Sequence, residues 1–432
     1  MPWRSPWQLT GGAWAVLCPA DGFQGLQTKG NALQGDVRFE DSRIECRRRS
    51  PSGKRSPRVG RGGWSFRTGL LVVLALAVAA CGHRPDAMIP VAYDPPPDSK
   101  VDMLVATTRA PSDDPAVRYS GERGESLRLD NVVVSIPPLH AREVGAIELP
   151  PSTGRPDPQK SFVVTQAQAV DDRGAEAWFK RTGKPSRRVL VFVHGFNNNY
   201  TEAVFRFAQI AHDIKVDAAP VLFTWPSRAN TLDYVYDRES TIYSRFGLVE
   251  ALEKATAAPD VADVTILAHS MGSWLTMEAL RELAIRHGRV SPKIRNVVLA
   301  SPDIDVDVFR RQVLELGKQH PRITIYSSRN DKALKVSTFL AGDVDRLGGA
   351  DLRPYEKILA EHNISFIDAS DAKQIDPLGH NAFAESSEML QSLTARLSEQ
   401  SLETSPSIGR SLIGRATLAP ARVLTAIANP ER

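Results

Sequence analysis

The stretch Val264-Thr265-Ile266-Leu267-Ala268-His269-Ser270-Met271-Gly272 joins an apolar strand to a serine on a tight turn. The residues two before and two after Ser270 are small, and the segment that follows them has helical periodicity. A strand–turn–helix unit of this kind pushes the serine hydroxyl out above a sheet and leaves the next N–H at a helix N-terminus. Ser270 is therefore a candidate nucleophile, with helix capping as the alternative interpretation.

Strand-like and helical segments alternate on both sides of this stretch. The predicted strands are Arg188–Val193, Val221–Trp225, Val264–Ala268, Ile294–Ala300, Ile323–Ser327 and Ile364–Asp368, and the predicted helices are Glu202–Ile214, Glu239–Thr256, Gly272–His287, Val306–Lys318 and Ala382–Leu397. Short apolar strands separated by helices indicate an α/β fold with a mostly parallel central sheet and helices on both faces. In such sheets the functional site lies beyond the carboxyl ends of the strands.

The segments outside this alternation predict the rest of the domain organisation. Residues 187–397 form the α/β domain, and the strand-like runs 101–107 and 132–136 predict a small N-terminal β-extension over residues 101–186. Residues 398–432 are a C-terminal tail.

Several segments together resemble the α/β-hydrolase superfamily, and more narrowly a bacterial α/β-hydrolase family of unknown function. They are Ala106-Thr107-Thr108-Arg109, Val193-His194-Gly195-Phe196-Asn197, Phe223-Thr224-Trp225-Pro226-Ser227, Ala268-His269-Ser270-Met271-Gly272, Ala300-Ser301-Pro302-Asp303-Ile304-Asp305 and Gly379-His380. The resemblance covers roughly residues 101–395 and implies an esterase-like serine hydrolase that needs no metal or organic cofactor. It implies nothing about the natural substrate beyond a small-molecule acyl ester.

The resemblance also implies an oxyanion hole. The loop after the first parallel strand would supply one amide, that of Phe196 or alternatively Asn197, and Met271 the other. An ordinary strand-to-helix turn is the competing interpretation of this loop. We expect His194 to support the loop through hydrogen bonds, and we expect Trp225 and Tyr234 to line the substrate site.

The catalytic base and acid follow from the order serine, acid, histidine that is typical of this fold. Of the histidines after Ser270, only His380 follows the last predicted strand, on a loop that leads into a helix. Two strand ends compete for the acid. Asp331 follows the strand at 323–327, which corresponds to the common location, and Asp303 follows the preceding strand.

The N-terminal region carries the basic excess of the chain. Residues 1–68 hold 12 Lys/Arg and 5 Asp/Glu, whereas acidic residues outnumber basic ones in the remainder, so nothing in the main body indicates a nucleic-acid partner. Residues 1–58 are a disordered leader or an incorrectly assigned start, with translation beginning near Val59.

Residues 59–80 have the basic flank, apolar run and small-residue end of a signal peptide, and Val78-Ala79-Ala80-Cys81 resembles a bacterial lipobox. The lipobox implies lipidation of Cys81, and Gly82 after it implies the periplasmic face of the outer membrane. Residues 81–100 then serve as a proline-containing tether.

Two other function classes remain open on the sequence. One is an acyltransferase or peptidase that uses the same triad, and the other is a non-catalytic cell-surface lipoprotein that retains the fold. The intact serine turn and the downstream histidine favour the carboxylic ester hydrolase.

Overall fold

Nine strands and nine α-helices are found in the part of the chain that the computed structural model describes, which is residues 87–151, 155–183, 186–215, 217–372 and 376–398. The predicted leader, the signal peptide, Cys81 and all of the predicted tail except residue 398 lie outside these ranges. The strands are β1 (Lys100–Pro111), β2 (Tyr119–Ser135), β3 (Val163–Val170), β4 (Arg188–Val193), β5 (Ala219–Thr224), β6 (Asp263–His269), β7 (Ile294–Ala300), β8 (Arg322–Ser327) and β9 (Ile364–Asp368).

The helices are α1 (Asp172–Thr182), α2 (Tyr200–Ile214), α3 (Tyr234–Ala257), α4 (Met271–His287), α5 (Val306–Leu316), α6 (Lys332–Leu340), α7 (Glu356–Glu361), α8 (Ala382–Glu385) and α9 (Ser387–Ser398). Short 3₁₀ turns at Pro97–Ser99, Thr231–Asp233, Leu347–Gly349 and Arg353–Tyr355 connect some of them. None of the helices in these ranges combines the length and the apolar character needed to cross a bilayer.

The nine strands form one sheet in the order β3-β2-β1-β5-β4-β6-β7-β8-β9. The β1–β2 and β2–β3 pairs are antiparallel, and every other neighbouring pair is parallel. The predicted mostly parallel sheet with an N-terminal β-extension is therefore confirmed. Strand β6, which carries the serine turn at its end, lies between β4 and β7 near the middle of the sheet.

Both faces of the sheet are covered, which explains why its central parallel strands are largely apolar on both faces. In β4, Val191 belongs to one buried cluster and the adjacent Phe192 to the other, because successive side chains of a strand point to opposite faces. Helices α1, α3, α4 and α5 pack in the first cluster, and α2, α8 and α9 in the second. Each fully buried side chain of this size contributes about 1.5–3 kcal/mol.

The N-terminal extension differs in detail from its prediction. Strands β1 and β2 are longer than the predicted runs, and β3 is an additional edge strand. Part of the predicted tether packs against this region, since Met88 is fully buried and the N–H of Val91 donates to the Val164 carbonyl at 2.8 Å. Residues 87–99 are thus attached to the domain rather than free.

Helix α3 begins five residues before the predicted start. The earlier start places Tyr234 at its first turn, beside the carboxyl edge of the sheet. Helix α6 had no counterpart in the predicted set of helices. It begins directly after Asp331, whose carboxylate accepts from the Leu334 N–H at 3.0 Å and caps the helix.

Candidate active site

Ser270 occupies a strained turn between β6 and α4. Its backbone has φ +53° and ψ −124°, a conformation that residues other than glycine rarely adopt. The surroundings hold it there: the Ser270 N–H donates to the Ala300 carbonyl at 3.0 Å. A Cβ at Gly272 would lie 2.3 Å from the His194 carbonyl oxygen, so only glycine fits two residues after the serine. The Ser270 residue is 2% exposed.

The loop after β4 packs directly on this turn. A Cβ at Gly195 would lie 2.7 Å from His269 Nδ1 and 2.8 Å from Ser270 Cβ, so glycine permits this close approach. A capping box ends the loop and starts α2. Asn199 Oδ1 accepts from the Glu202 N–H at 2.7 Å, and Glu202 Oε2 accepts from the Asn199 N–H at 2.8 Å.

Two backbone amides beside Ser270 are available to a ligand. Within the described ranges, neither the Phe196 N–H nor the Met271 N–H donates a hydrogen bond. The Asn197 N–H, which is the alternative expected from the sequence, already donates to Asp237 Oδ2 at 3.3 Å. Phe196 and Met271 are therefore the pair that can hold an oxyanion without losing an existing bond.

Arg109, at the end of β1, ties the loop to the neighbouring strand ends. This side chain is fully buried. Its Nη2 donates to the Asn198 carbonyl at 2.8 Å, its Nη1 to the Ser227 carbonyl at 2.9 Å and its Nε to Thr224 Oγ1 at 2.9 Å. Burial lowers the pKa of Arg109 to about 10, with Asp237 acting in the opposite direction, so the guanidinium remains charged at neutral pH.

Asp237 holds the same loop from the other side. Its carboxylate accepts from the Ser227 hydroxyl at 2.5 Å, from the Arg228 N–H at 3.0 Å and from the Asn197 N–H. Burial raises the pKa of Asp237, although these hydrogen bonds oppose the shift. Arg109 and Asp237 were not identified from the sequence as parts of the site. The available signal was the segment ending in Arg109, which belongs to the family resemblance.

His194 supports the loop, as expected. The Trp225 N–H donates to its Nε2 at 3.1 Å, its Nδ1 lies 2.8 Å from the Gly195 carbonyl oxygen, and its ring stacks on Trp225 at 4.8 Å. Burial, followed by the nearby charge of Arg109, lowers the pKa of His194 to about 3, so the ring is neutral.

The expectation that Trp225 lines the substrate site needs correction. Its side chain is fully buried, and its Nε1 donates to the His194 carbonyl at 2.8 Å. The indole thus lies beneath the loop rather than beside the substrate, since Trp225 directly follows β5 and points into the core.

His380 and Asp331 form a close pair. His380 Nδ1 lies 2.6 Å from Asp331 Oδ2, and the Asp331 side chain has no exposed surface whereas that of His380 is 15% exposed. The His380 loop is fixed by its N–H, which donates to Asp376 Oδ2 at 2.8 Å, and by its carbonyl, which lies 3.1 Å from His269 Nε2. The His269 and His380 rings are 4.6 Å apart, which places the imidazole beside the serine turn.

Burial and the pair with Asp331 act in opposite directions on the pKa of His380. Burial by itself lowers the pKa of His380, but the hydrogen bond and charge of Asp331, followed by the charges of Asp303 and Asp376, raise it above the ordinary value of 6.5. No hydrogen bond joins the Ser270 hydroxyl to the His380 ring among the described residues. In unliganded enzymes such contacts commonly tighten only when the substrate binds.

Asp303, the competing acid, has other partners. It accepts from the Ser337 hydroxyl at 2.6 Å and from the Tyr234 hydroxyl at 3.2 Å, and it forms an ion pair with Arg346 at 3.3 Å. Its N–H donates to the Ser270 carbonyl at 3.2 Å. Asp303 therefore lies close to the serine turn but is not hydrogen-bonded to His380.

Tyr234 contacts residues on both sides of the serine turn, Phe196 after β4 and Asp303 after β7. Its ring packs edge-on against Phe196, with centroids 5.4 Å apart, while its hydroxyl reaches Asp303 and lies 2.9 Å from Ser337 Oγ. Its side chain is half-buried. Tyr234 therefore lies next to the serine turn, and its role in lining the substrate site stays a prediction.

The comparison with protein families agrees with the α/β-hydrolase fold. A family model described as an alpha/beta hydrolase of unknown function (DUF900) matches residues 171–396. None of the curated proteins matches the chain.

Similar solved structures include a lipase-esterase related protein from Clostridium acetobutylicum, with 12% identity over 50% of this chain and 95% of that chain and a TM-score of 0.28. An α/β serine hydrolase without lid from Xanthomonas campestris has 11% identity over 73% and 100%, with a TM-score of 0.33. An esterase from Pyrococcus furiosus has 9% identity over 73% and 98%, with a TM-score of 0.32.

Proposed function

Because this chain belongs to the alpha/beta hydrolases of unknown function (DUF900), we propose that it is a serine hydrolase that cleaves carboxylic esters. Ser270 is the nucleophile, His380 the general base and Asp331 the acid that orients it. The observation that carries the proposal is the positive φ of Ser270. A serine that only caps a helix does not need this strained backbone, whereas a nucleophile on a tight strand-to-helix turn does.

The reaction proceeds through an acyl-enzyme. His380 takes the proton of Ser270 as its oxygen bonds to the acyl carbon, and the amides of Phe196 and Met271 bind the oxyanion. Collapse of the tetrahedral intermediate breaks the ester C–O bond, and His380 gives its proton to the departing alcohol. Water, deprotonated by His380, then releases the carboxylic acid and restores Ser270.

Asp331 supports both steps. Its buried carboxylate accepts from His380 Nδ1, which leaves Nε2 as the proton acceptor towards the serine. The same carboxylate stabilises the imidazolium that forms in each step.

Labelling with a fluorophosphonate and hydrolysis of a series of p-nitrophenyl esters test the proposal. The wild-type chain should be labelled and should hydrolyse at least one of these esters, whereas Ser270→Ala should lose both properties and keep its fold. Ser273→Ala is the matched control, because Ser273 lies on the same helical turn but donates its hydroxyl to the Ala268 carbonyl at 3.1 Å. Labelling that persists in Ser270→Ala would rule out this nucleophile.

Product analysis distinguishes the competing reactions. Release of the free acid supports a hydrolase, preferential transfer of the acyl group to an added alcohol or amine supports an acyltransferase, and cleavage of peptides in preference to esters supports a peptidase.

The lipid anchor is a separate part of the proposal. Acylation of Cys81 would hold the mature chain on a membrane, at the periplasmic face of the outer membrane. Mass spectrometry of the native protein should find an acylated N-terminal Cys81 and no peptide from residues 1–58, and Cys81→Ser should abolish membrane association during fractionation of the cells in buffer of high ionic strength.

A further inference from the structure

The most exposed apolar side chains of the described residues are concentrated in two short segments. Among the described residues, seven large apolar side chains are more than 55% exposed, and five of the seven lie at residues 232–235 and 336–340. They are Leu232 (90%), Val235 (70%), Val336 (57%), Phe339 (74%) and Leu340 (56%). An apolar grouping of this kind on a surface usually marks an interaction site.

The two segments adjoin each other at the carboxyl edge of the sheet. The first leads into α3 after β5, and the second belongs to α6 after β8, so both follow the ends of parallel strands. The hydroxyls of Tyr234 and Ser337 meet at 2.9 Å, and each is the sequence neighbour of an exposed valine. We call the five exposed side chains the apolar rim.

The apolar rim is continuous with the candidate active site. Tyr234 packs on Phe196, which supplies an oxyanion amide, and Asp331 caps α6 while it binds His380. Ser270 is 2% exposed, and its hydroxyl is not among the fully buried, unpartnered side-chain atoms of the described residues. The apolar rim therefore lies next to the elements that carry the candidate nucleophile and base.

Helix α6 presents an unusual face to solvent. Leu334 and Ser337 point inward, whereas Lys332 and Lys335 in its first part and the three apolar rim residues in its second part are exposed. Lysines beside exposed apolar side chains are typical of helices that lie in the interface of a membrane with anionic lipid. Lys332 and Lys335 on this face favour an anionic lipid surface over an apolar protein partner, whereas Asp343 and Asp345, which are exposed just after α6, act against it.

From these observations we propose that the apolar rim, together with Lys335, binds the surface of an anionic lipid bilayer, and that the enzyme takes long-chain acyl esters from that surface. The substrate class rests on the proposed ester hydrolysis, but the binding surface does not. The predicted acyl anchor at Cys81 is an independent indication that the domain works beside a membrane.

Vesicle flotation tests the binding surface. The full chain carrying Cys81→Ser serves as the parent, so that an anchor does not contribute to binding. It should bind vesicles of phosphatidylglycerol and phosphatidylcholine more tightly than vesicles of phosphatidylcholine alone. The triple variant Val336→Ser, Phe339→Ser, Leu340→Ser should bind at least about tenfold more weakly to both, and Lys335→Gln about fivefold more weakly to the anionic vesicles only.

Two further variants make the result specific to the apolar rim. Leu232→Ser with Val235→Ser should weaken vesicle binding in the same way from the other segment. Ile285→Ser removes an equally exposed side chain (63%) near the far end of α4, about 21 Å along the helix from the serine turn, and should bind like the parent.

Hydrolysis separates this proposal from the proposed function. The triple variant should hydrolyse p-nitrophenyl acetate in solution at the parental rate and p-nitrophenyl palmitate dispersed in anionic vesicles at least about tenfold more slowly. The proposal that the apolar rim binds lipid would be wrong if the parent does not bind vesicles, or if the triple variant binds them as tightly as the parent does. If vesicle binding depends on the rim but neither ester is hydrolysed, the lipid-binding proposal stands and the proposed ester hydrolysis is wrong.

Discussion

Asp331 Oδ2 lies 2.6 Å from His380 Nδ1, and the same carboxyl group caps helix α6 through its other oxygen, Oδ1, at 3.0 Å from the Leu334 N–H. One buried side chain thus orients the proposed base and fixes the start of the helix that carries three of the five side chains of the apolar rim. The position of the imidazole and the position of the rim are therefore coupled through a single residue.

Asp331→Asn should reduce turnover by at least about a hundredfold, since the comparable change in a well-studied serine protease costs roughly 10⁴. Asparagine is also a good N-cap, so the free energy of unfolding should change little. The matched variant is Asp303→Asn, which we expect to have a milder effect on turnover. Steady-state kinetics on a soluble ester, with thermal melts of both variants, make the comparison. The reverse ranking with both chains folded would transfer the role to Asp303.

The pH dependence of kcat/KM should report the raised pKa of His380. The base must be neutral to accept a proton, so activity should rise with pH through a limb centred above 6.5. Removing the charge of Asp331 leaves the effect of burial, which lowers the pKa, so the limb should move to lower pH in Asp331→Asn while the plateau falls. A limb at or below pH 6.5 in the wild-type chain, or a move to higher pH in the variant, would contradict this assignment.

Arg109→Lys should lower kcat by about ten- to hundredfold and change KM by less than about threefold, because a displaced oxyanion donor weakens binding of the transition state more than of the ester. Lysine cannot reproduce the three-way contact of the guanidinium with Asn198, Ser227 and Thr224. The loss of those contacts should also reduce the free energy of unfolding by about 1–3 kcal/mol.

The control for Arg109→Lys is Arg123→Lys, whose side chain donates to Ser240 Oγ at 3.0 Å and makes no contact with the loop after β4 among the described residues. It should leave kcat unchanged. A rise in KM with an unaltered kcat in Arg109→Lys would show that the arginine does not position the oxyanion hole.

Gly195→Ala should slow both turnover and fluorophosphonate labelling by at least about tenfold, a loss comparable to misplacing one oxyanion donor. The added methyl group would lie within 2.8 Å of Ser270 Cβ, so the loop must move away from the serine turn. Gly349→Ala is the control, since its methyl group would meet only Leu334 Cβ, at an ordinary 3.8 Å. Equal labelling rates in the two variants would show that the position of the loop after β4 does not affect the reactivity of Ser270.

Much of the fold was predictable because its signals are local. The parallel strands at the centre of the sheet are mostly apolar runs, and the small residues around Ser270 belong to one turn. The order of these elements and the site at the carboxyl edge therefore follow from short windows of sequence. Helix α6 gave a weaker signal, since its exposed face is as apolar as its buried one. Edge strand β3 was missed because only its first two residues, Val163 and Val164, are buried, and the segment that follows them contains Thr165, Gln166 and Gln168.

The support of the candidate site was less predictable because its contacts are distant in sequence. Arg109 binds groups 89 and 118 residues away, and nothing near it in the chain identifies those partners. The direction of the Trp225 side chain was also unpredictable from the sequence. An aromatic residue just after a strand can point to the site or to the core, and the packing of the whole sheet decides which. The choice between Asp303 and Asp331 required counting strands, and the geometry places only Asp331 against the imidazole.

Asp303 gives this scaffold an evolutionary redundancy. It stands at the end of the strand next to that of Asp331, its charge already acts on His380, and it is held back by Ser337, Tyr234 and Arg346. A substitution that released Asp303 from those partners while Asp331 was still present would leave two carboxylates acting on the proposed base. A lineage built on this chain would then hold a second candidate acid before it lost the first.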